Sequence, residues 1–378
     1  MKIGIDGRVL GRRGVGRYLK NLLAALADLG SRDEFTVFLG PRSRTQDLPR
    51  NPRFRGLSLG PGHPAWHEQA RIPALARKLG LDLLHFPDNT GPLRCRVPFV
   101  LTLHDTMWMR PLREAVARPT PSQRLQDLYR KWVCPRAAAR AGRVLTITRF
   151  SRRDILEKLP LDPSRVEVVS EGLDPAFSKG LPGARARALT RGLGLEGPYV
   201  LASGASDRRK NVDRLIEAFA LAGRKSPLLK RARLAVTSMG DRELATTTYR
   251  QTAARAGVSG RVRFLGYVGE EELKALYQEA LCFAYPSLWE GFGLPVLEAF
   301  GMGCPVLASN ATAIPETAGK GALLVDPEDV VGMARGFHQM LRPALRDRLV
   351  LAGRKELGRY SWERAARQTL GHYRSALH

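Results

Sequence analysis

The residues best equipped for chemistry lie in the stretch Tyr285-Pro286-Ser287-Leu288-Trp289-Glu290-Gly291-Phe292-Gly293-Leu294-Pro295-Val296-Leu297-Glu298. Two carboxylates, Glu290 and Glu298, bracket two glycines and a proline. The apolar run Leu281 to Tyr285 before them reads as a buried strand. Pro295 suits the first turn of a helix, where its missing N–H loses no partner. The pattern predicts a strand, a glycine-bearing loop and a helix start, with Glu290 on the loop and Glu298 in the first helical turn. Such a helix end favours an anionic ligand, and a glutamate there also fits as plain capping charge. Glu290 has no such structural duty. A loop carboxylate between Trp289 and Gly291 suits the gripping of hydroxyl groups.

A second candidate is the loop Gly204 to Asn211, in which Arg208, Arg209 and Lys210 stand just before a helix that Asn211 is expected to cap. Three cations beside a helix N-terminus make a diphosphate clamp, or else a solvated charged turn. His104-Asp105 ends the strand-like run Phe99 to Leu103, at the edge where open parallel sheets bind ligands; a satisfied pair is the plainer reading. Gly7, Gly11, Gly14 and Gly16 precede or open the first helix, where backbone N–H groups can approach a phosphate. The other histidines, at 63, 67, 85, 338, 372 and 378, have no metal-ligand spacing, so no protein-bound metal is expected.

The elements that must position these residues alternate. Strands are predicted at Lys2 to Asp6, Thr36 to Leu39, Arg55 to Leu59, Leu81 to Phe86, Phe99 to Leu103, Val144 to Thr148 and Val166 to Val169. Helices fall between them, including one over Ser151 to Leu159 with Ser151 as its cap. The stretch Gly172 to Gly197, rich in proline, glycine and charge, reads as a connector with a short helix near Ala184 to Leu193. A second alternating set follows, with strands at Tyr199 to Ser203, Leu234 to Thr237, Val262 to Leu265, Leu281 to Tyr285, Pro305 to Ala308 and Ala322 to Val325. Beyond Pro327 the chain is helical, ending in Trp362 to Leu377. Repeated strand–helix alternation predicts an α/β protein with two parallel sheets, each covered on both faces.

Composition bounds the function. A chain of 378 residues has room for two domains. The net charge is +25, with only 12 lysines among 61 basic residues. That excess fits an arginine-biased genome, an anionic membrane surface, an acidic lipid-linked acceptor or nucleic acid. Aromatics at 7%, scattered, argue against a single-stranded nucleic-acid platform. Cys95, Cys134, Cys282 and Cys304 lack zinc or redox spacing and suit a reducing cytoplasm. No apolar run approaches the ~20 residues of a membrane span, so any membrane contact is expected to be peripheral. Neither glycine loop matches the dinucleotide fingerprint, and no Walker pattern occurs, which disfavours a nicotinamide dehydrogenase and a P-loop enzyme.

Taken in order, these residues resemble the retaining glycosyltransferases of the GT-B fold in glycosyltransferase family 4, which include many mannosyl- and glucosyltransferases. The marks are the glycine loop before Arg17-Tyr18, His104-Asp105, Arg209-Lys210-Asn211, Phe264-Leu265-Gly266-Tyr267-Val268, and above all the Glu-x7-Glu spacing of Glu290 and Glu298, followed by Ala308-Ser309 and Pro315-Glu316. The similarity covers nearly the whole chain. It implies two Rossmann-like domains facing a central cleft: an acceptor-binding domain at 1–172, a linker at 173–197, a donor-binding domain at 198–358, and a helix at 359–378 that crosses back onto the first domain.

The resemblance also implies roles. Glu298 takes the ribose hydroxyls, Glu290 with the backbone of Phe292, Gly293 and Leu294 holds the sugar, and Arg209 and Lys210 neutralise the diphosphate. Val268 lies near the base, His104 serves the reacting sugar with Asp105 on the acceptor side, and Gly14 and Gly16 approach the donor phosphates. The implied reaction is metal-independent transfer of a hexosyl group, with retention by a same-face mechanism, from GDP-mannose or, second, UDP-glucose to a saccharide or lipid-linked acceptor in polysaccharide biosynthesis. The expected location is the cytoplasm, peripherally on the inner face of a membrane. Two positions depart from the family pattern: Ala205, where an arginine is frequent, and Glu171-Gly172, where Asn-Gly is more usual. The alternatives are another GT-B enzyme, such as a glycosyl phosphorylase or a nucleotide-sugar epimerase, and a basic non-catalytic nucleic-acid-binding protein.

Overall fold

The computed structural model describes the whole chain except residues 13, 42, 44, 113–118, 205–207, 239–243 and 378. It divides into two units. Unit 1 is built from Met1–Arg110, Thr120–Gly172 and the chain from Tyr360 onward, and unit 2 from Leu173–Arg359.

In unit 1 the strands are β1 (Lys2–Asp6), β2 (Glu34–Leu39), β3 (Phe54–Ser58), β4 (Leu83–Phe86), β5 (Phe99–Thr102), β6 (Arg143–Thr146) and β7 (Val166–Val168), all parallel, in the order β3-β2-β1-β4-β5-β6-β7. In unit 2 they are β8 (Tyr199–Ser203), β9 (Arg233–Thr237), β10 (Val262–Gly266), β11 (Cys282–Tyr285), β12 (Val306–Ser309) and β13 (Ala322–Val325), also parallel, in the order β10-β9-β8-β11-β12-β13. Each order reverses once, between β1 and β4 and between β8 and β11. At such a switch point neighbouring crossovers run to opposite faces, opening a crevice at the carboxyl ends of the strands.

Six helices matter below: α1 (Val15–Asp28), α2 (Pro121–Arg140), α3 (Val212–Lys225), α4 (Glu270–Glu279), α5 (Leu294–Gly301) and α6 (Trp362–Ser375). The spacing of their apolar residues decides which face each buries. In α3, Val212, Leu215, Ile216 and Phe219 are all buried, one stripe of a 3.6-residue period against the core of unit 2. In α6, Trp362, Ala365, Ala366, Thr369, Leu370 and Tyr373 form the equivalent stripe within unit 1. The stretch 173–197 carries a 3-10 turn at Pro175–Ser178 and a helix at Gly183–Gly192, and Gln278 of α4 bonds both backbone groups of Leu181.

Several local expectations are corrected. The helix expected to start at Ser151 begins at Arg149; Thr148 is its cap, and its Oγ1 accepts from the Ser151 N–H at 3.0 Å. Asn211 occupies the cap position of α3 but adopts a left-handed backbone (φ 57°) and makes no side-chain cap. A helical run begins at Pro64–Trp66, passes through a π-turn at His67–Arg71 and continues as Ile72–Lys78. Glu298 is not in the first turn of its helix. Leu294 starts α5 with Pro295 as its second residue, so Glu298 sits one turn deeper and is only 3% exposed.

Candidate functional site

In unit 2 the switch point between β8 and β11 joins residues far apart in sequence. The loop after β8 delivers Arg208–Lys210 as a single 3-10 turn, and the loop after β11 delivers Glu290. Lys210 Nζ lies 2.7 Å from Glu290 Oε1 and donates to the Tyr285 hydroxyl, also at 2.7 Å. The loops are pinned together by backbone: the Leu288 N–H donates to the Arg209 carbonyl at 2.7 Å. Asn211 explains its left-handed backbone here. Its Nδ2 donates to the carbonyls of Pro286 at 3.1 Å and Pro327 at 2.6 Å, clasping three loops.

The electrostatics follow from that assembly. Burial pushes the Glu290 carboxyl up, but the charges of Lys210 and Arg209 outweigh it and hold the group below the usual carboxylate range. Glu290 is therefore ionised at neutral pH. Burial, then the Glu290 charge, keeps the Tyr285 hydroxyl protonated. A neighbouring turn sets the Glu290 backbone: its N–H donates to Thr312 Oγ1 at 3.1 Å, and Thr312 has a positive φ of 56°. That conformation is costly for a β-branched residue, and such strain collects at functional sites.

Beyond Glu290 the loop turns sharply. Gly293 has φ 104°, a backbone conformation that disfavours any side chain, and a Cβ there would also push on Ile314 Cδ1, 2.7 Å away. The Phe292 carbonyl accepts from Thr317 Oγ1 at 2.7 Å, and Leu294 opens α5. Glu298 accepts from the buried Tyr277 hydroxyl of α4 at 3.1 Å. Val268 follows β10, half-buried, just before α4. Ala205 lies outside the described residues.

In unit 1, His104 and Asp105 follow β5. His104 is 8% exposed and tightly held: its N–H donates to Asn89 Oδ1 at 2.9 Å, Nε2 lies 2.8 Å from the Pro87 carbonyl, and Tyr18 meets its ring edge-on at 4.9 Å. The carboxylate facing its Nδ1 is that of Glu171, at 3.8 Å. Asp105 Oδ1 accepts from the Met107 N–H at 2.9 Å, starting a 3-10 turn. Gly14 has φ 61° with open space at its Cβ, as a backbone free to meet a ligand would. Gly16 is buried, and a Cβ there would press to 2.6 Å from the Val9 carbonyl oxygen, which is a packing reason for glycine.

The structure thus brings together Arg209, Lys210, Glu290, Phe292, Gly293 and Leu294 in one unit, and in the other sets His104 against Tyr18 of α1, the helix that follows the glycine-bearing turn. Sequence reasoning gave no role to Tyr285, Tyr277, Thr312 or Tyr18, although Tyr285 opens the stretch singled out first and Tyr18 follows the glycine loop. Thr312 also left a signal, lying between the two marked pairs Ala308-Ser309 and Pro315-Glu316.

Comparison with known proteins was made on this footing. A family model described as "Glycosyltransferase Family 4" matches residues 12–177, and one described as "Glycosyl transferases group 1" matches residues 197–343. The D-inositol 3-phosphate glycosyltransferase of Frankia alni is 32% identical over 293 residues, 75% of this chain and 70% of that protein. The O-antigen chain mannosyltransferase B of Escherichia coli is 32% identical over 233 residues, 61% of this chain; the chain spans 60% of that relative's length. Among solved structures, sucrose-phosphate synthase from Thermosynechococcus elongatus superposes with a TM-score of 0.74 at 21% identity, covering 99% of this chain and 98% of that one. Anabaena HepE in complex with UDP-glucose gives 0.74 at 18% identity, covering 99% and 100%. At those identities the structural likeness establishes the fold.

Proposed function

The chain belongs to glycosyltransferase family 4, and from that premise we propose that it is a retaining glycosyltransferase. In this reading it moves a hexosyl group, mannosyl first, from a nucleotide-diphosphate sugar to a hydroxyl of a saccharide or lipid-linked acceptor. The observation that carries the reading is the Lys210–Glu290 pair, 2.7 Å apart at the switch point of unit 2. Breaking the anomeric C–O bond loads negative charge onto the diphosphate and positive charge onto the sugar ring. A fixed cation beside an ionised carboxylate answers both, provided they are held in place before the reaction begins.

The remaining roles follow. Arg209 and Lys210 stabilise the leaving diphosphate. Glu290 and the backbone of Phe292, Gly293 and Leu294 hold the sugar, Glu298 the ribose, and Val268 the region of the base. Gly14 and Gly16 approach the donor phosphates, His104 acts at the reacting sugar, and Asp105 lies on the acceptor side. The acceptor hydroxyl bonds to the anomeric carbon as the bond to the diphosphate breaks on the same face, and the departing phosphate oxygen takes the hydroxyl proton. Mannose is favoured by the names of the E. coli relatives, O-antigen chain mannosyltransferase B and the serotype-specific mannosyltransferase WbdA; HepE, solved with UDP-glucose, keeps UDP-glucose second. No metal is assigned a step.

The proposed setting is the cytoplasmic face of a membrane carrying anionic lipid. Support comes from α2, where Leu125, Leu128 and Trp132 are 67%, 63% and 53% exposed at a spacing that puts them on one side. Arg124, Arg130, Lys131, Arg136 and Arg140 share the helix with the single acid Asp127. Exposed Leu and Trp flanked by arginine suit the headgroup boundary. Among the described residues no helix is long and apolar enough to cross a membrane.

The experiment is a thermal-unfolding screen against GDP-mannose, UDP-glucose and ADP-glucose, followed by anomeric proton NMR of products formed on saccharide acceptors. A raised midpoint with GDP-mannose and a product keeping the donor's anomeric configuration are expected. No shift and no consumption of any of these sugars would overturn the reading. Phosphate-dependent cleavage of a disaccharide without nucleotide would replace it.

A further inference from the structure

We infer that Tyr285 is a positioning residue for Lys210, holding the ammonium so that one of its N–H groups is left for the donor's diphosphate. An ammonium carries three N–H donors and no acceptor. One donates to Glu290 Oε1 and one to the Tyr285 hydroxyl, each at 2.7 Å. Among the described residues no acceptor takes the third. Nζ also lies 4.7 Å from the centroid of the Tyr285 ring, so one side chain offers the cation both an oxygen and a π face. A lysine stem is flexible and leaves its charge loosely placed unless the end is tied. Two bonds to fixed partners leave the third N–H a single direction.

Tyr285 is the rigid member of the group. Lys210 ends a 3-10 turn and Glu290 sits in a loop, whereas Tyr285 closes β11 and its backbone is registered against Ala308 of β12. It is 1% exposed, and its ring stacks on Phe283 with centroids 5.4 Å apart. A Cβ on Gly293 would meet Tyr285 Cε1 at 3.9 Å, so the same ring borders the turn proposed to hold the sugar. A strand residue packed this way gives the two loop residues a common reference point. The hydroxyl is also the right kind of tie. Burial keeps it protonated and neutral, so it accepts from the ammonium without cancelling the charge, as a second carboxylate would. This role rests on the proposed placing of Lys210 at the diphosphate; the held ammonium does not.

Two measurements test it. The first is turnover of Tyr285→Phe, which keeps the ring and removes only the oxygen. Charge builds on the diphosphate as the bond breaks, so kcat should fall about 10–100-fold while the donor KM moves by less than about threefold. In a Lys210→Met background the same substitution should change kcat by less than about twofold, because the tyrosine acts through the lysine. An unchanged kcat in Tyr285→Phe overturns the proposal. So does an equal loss in both backgrounds, which is what a purely structural tyrosine gives. The second measurement is nitrogen-15 NMR of the lysine ammonium groups without ligand, with the Lys210 signal identified by its absence in Lys210→Met. The unmutated protein should show a Lys210 ammonium protected from solvent exchange, and Tyr285→Phe should exchange at least about tenfold faster. A Lys210 signal that exchanges as fast as those of surface lysines, or equally slowly in both proteins, overturns the pairing. It does so even if no nucleotide sugar is ever consumed, a result that would separately sink the proposed function.

Discussion

Lys210 Nζ and Glu290 Oε1 stand 2.7 Å apart, although 80 residues separate them in the chain. Lys210, with Arg209, holds the Glu290 carboxyl in its charged form, and Tyr285 is a shared neighbour. Lys210→Met should leave Glu290 with Arg209 and the Tyr285 hydroxyl to stabilise its charge, at a cost of up to about 3 kcal/mol. Glu290→Gln should cost less, because an amide tolerates the site neutral. The double variant Lys210→Met/Glu290→Gln should recover most of the lost stability in urea unfolding. Turnover should fall about 10²–10³-fold in each single variant and not recover in the double. Full turnover by Glu290→Gln would remove Glu290 from the mechanism.

The same pair shows what sequence alone can and cannot carry. Glu290 and the Arg209-Lys210 run were each legible as chemistry, and the spacing of Val212, Leu215, Ile216 and Phe219 placed α3 behind them. Their meeting depends on β8 lying beside β11, which no local pattern encodes. Glu171 was visible only as an unusual neighbour of Gly172, since its approach to 3.8 Å from His104 joins the turn after β5 to the chain after β7. The cap assigned to Asn211 failed because its side chain bonds the carbonyls of Pro286 and Pro327 instead of its own helix. Local propensity gave way to long-range carbonyl satisfaction.

Tyr373 Oη lies 2.7 Å from His85 Nδ1, and His85 Nε2 lies 2.8 Å from Thr102 Oγ1, tying α6 into the sheet of unit 1 through a buried chain. Tyr373→Phe should cost about 1–3 kcal/mol, because fully buried His85 loses one of its partners. Burial lowers the His85 pKa to about 3. Folded His85 therefore refuses a proton that unfolded His85 accepts, so its share of stability is present above about pH 6.5 and drains away as pH falls toward 3. Unfolding free energy should drop over that window, and a His85→Gln variant should lack the slope. An unchanged slope in that variant would contradict the assignment.

Glu171 acts with the opposite sign. Its folded pKa of about 8 lies above the unfolded carboxyl value, so the folded state holds the proton more tightly. That contribution is full below about pH 4 and is lost as pH rises toward 8. Urea unfolding between pH 7.5 and 8.5 separates the two groups, since unfolded His85 has by then shed about nine-tenths of its proton and folded His85 holds none. Wild type should lose stability across that range by about 1.4 kcal/mol per pH unit at most, and Glu171→Gln should be flat. Parallel curves for the two proteins would refute the shift.

Leu128 and Trp132 are more than half exposed, and the Arg136 guanidinium lies over the Trp132 ring at 4.8 Å. Leu128→Glu with Trp132→Glu should therefore change folding stability by no more than about 1 kcal/mol. Flotation with phosphatidylglycerol-containing vesicles should show wild type bound and the double variant weakened at least about tenfold, with wild-type binding falling as salt rises. Equal flotation of the two proteins would leave α2 without a lipid-facing role.

Glu298 offers a cleaner separation of binding from chemistry. Its carboxylate accepts from the Tyr277 hydroxyl at 3.1 Å, and burial followed by the Glu298 charge keeps that hydroxyl protonated. Tyr277→Phe removes the donor while the ring stays packed edge-on to Phe177 and Phe283. The carboxylate loses one of its anchors and swings more freely before it meets a ribose. If Glu298 contacts only the nucleoside, that contact is the same in the ground and transition states, so the donor KM should rise about 3–10-fold with kcat unchanged. A fall in kcat at saturating donor would instead tie Glu298 to the reacting end of the molecule.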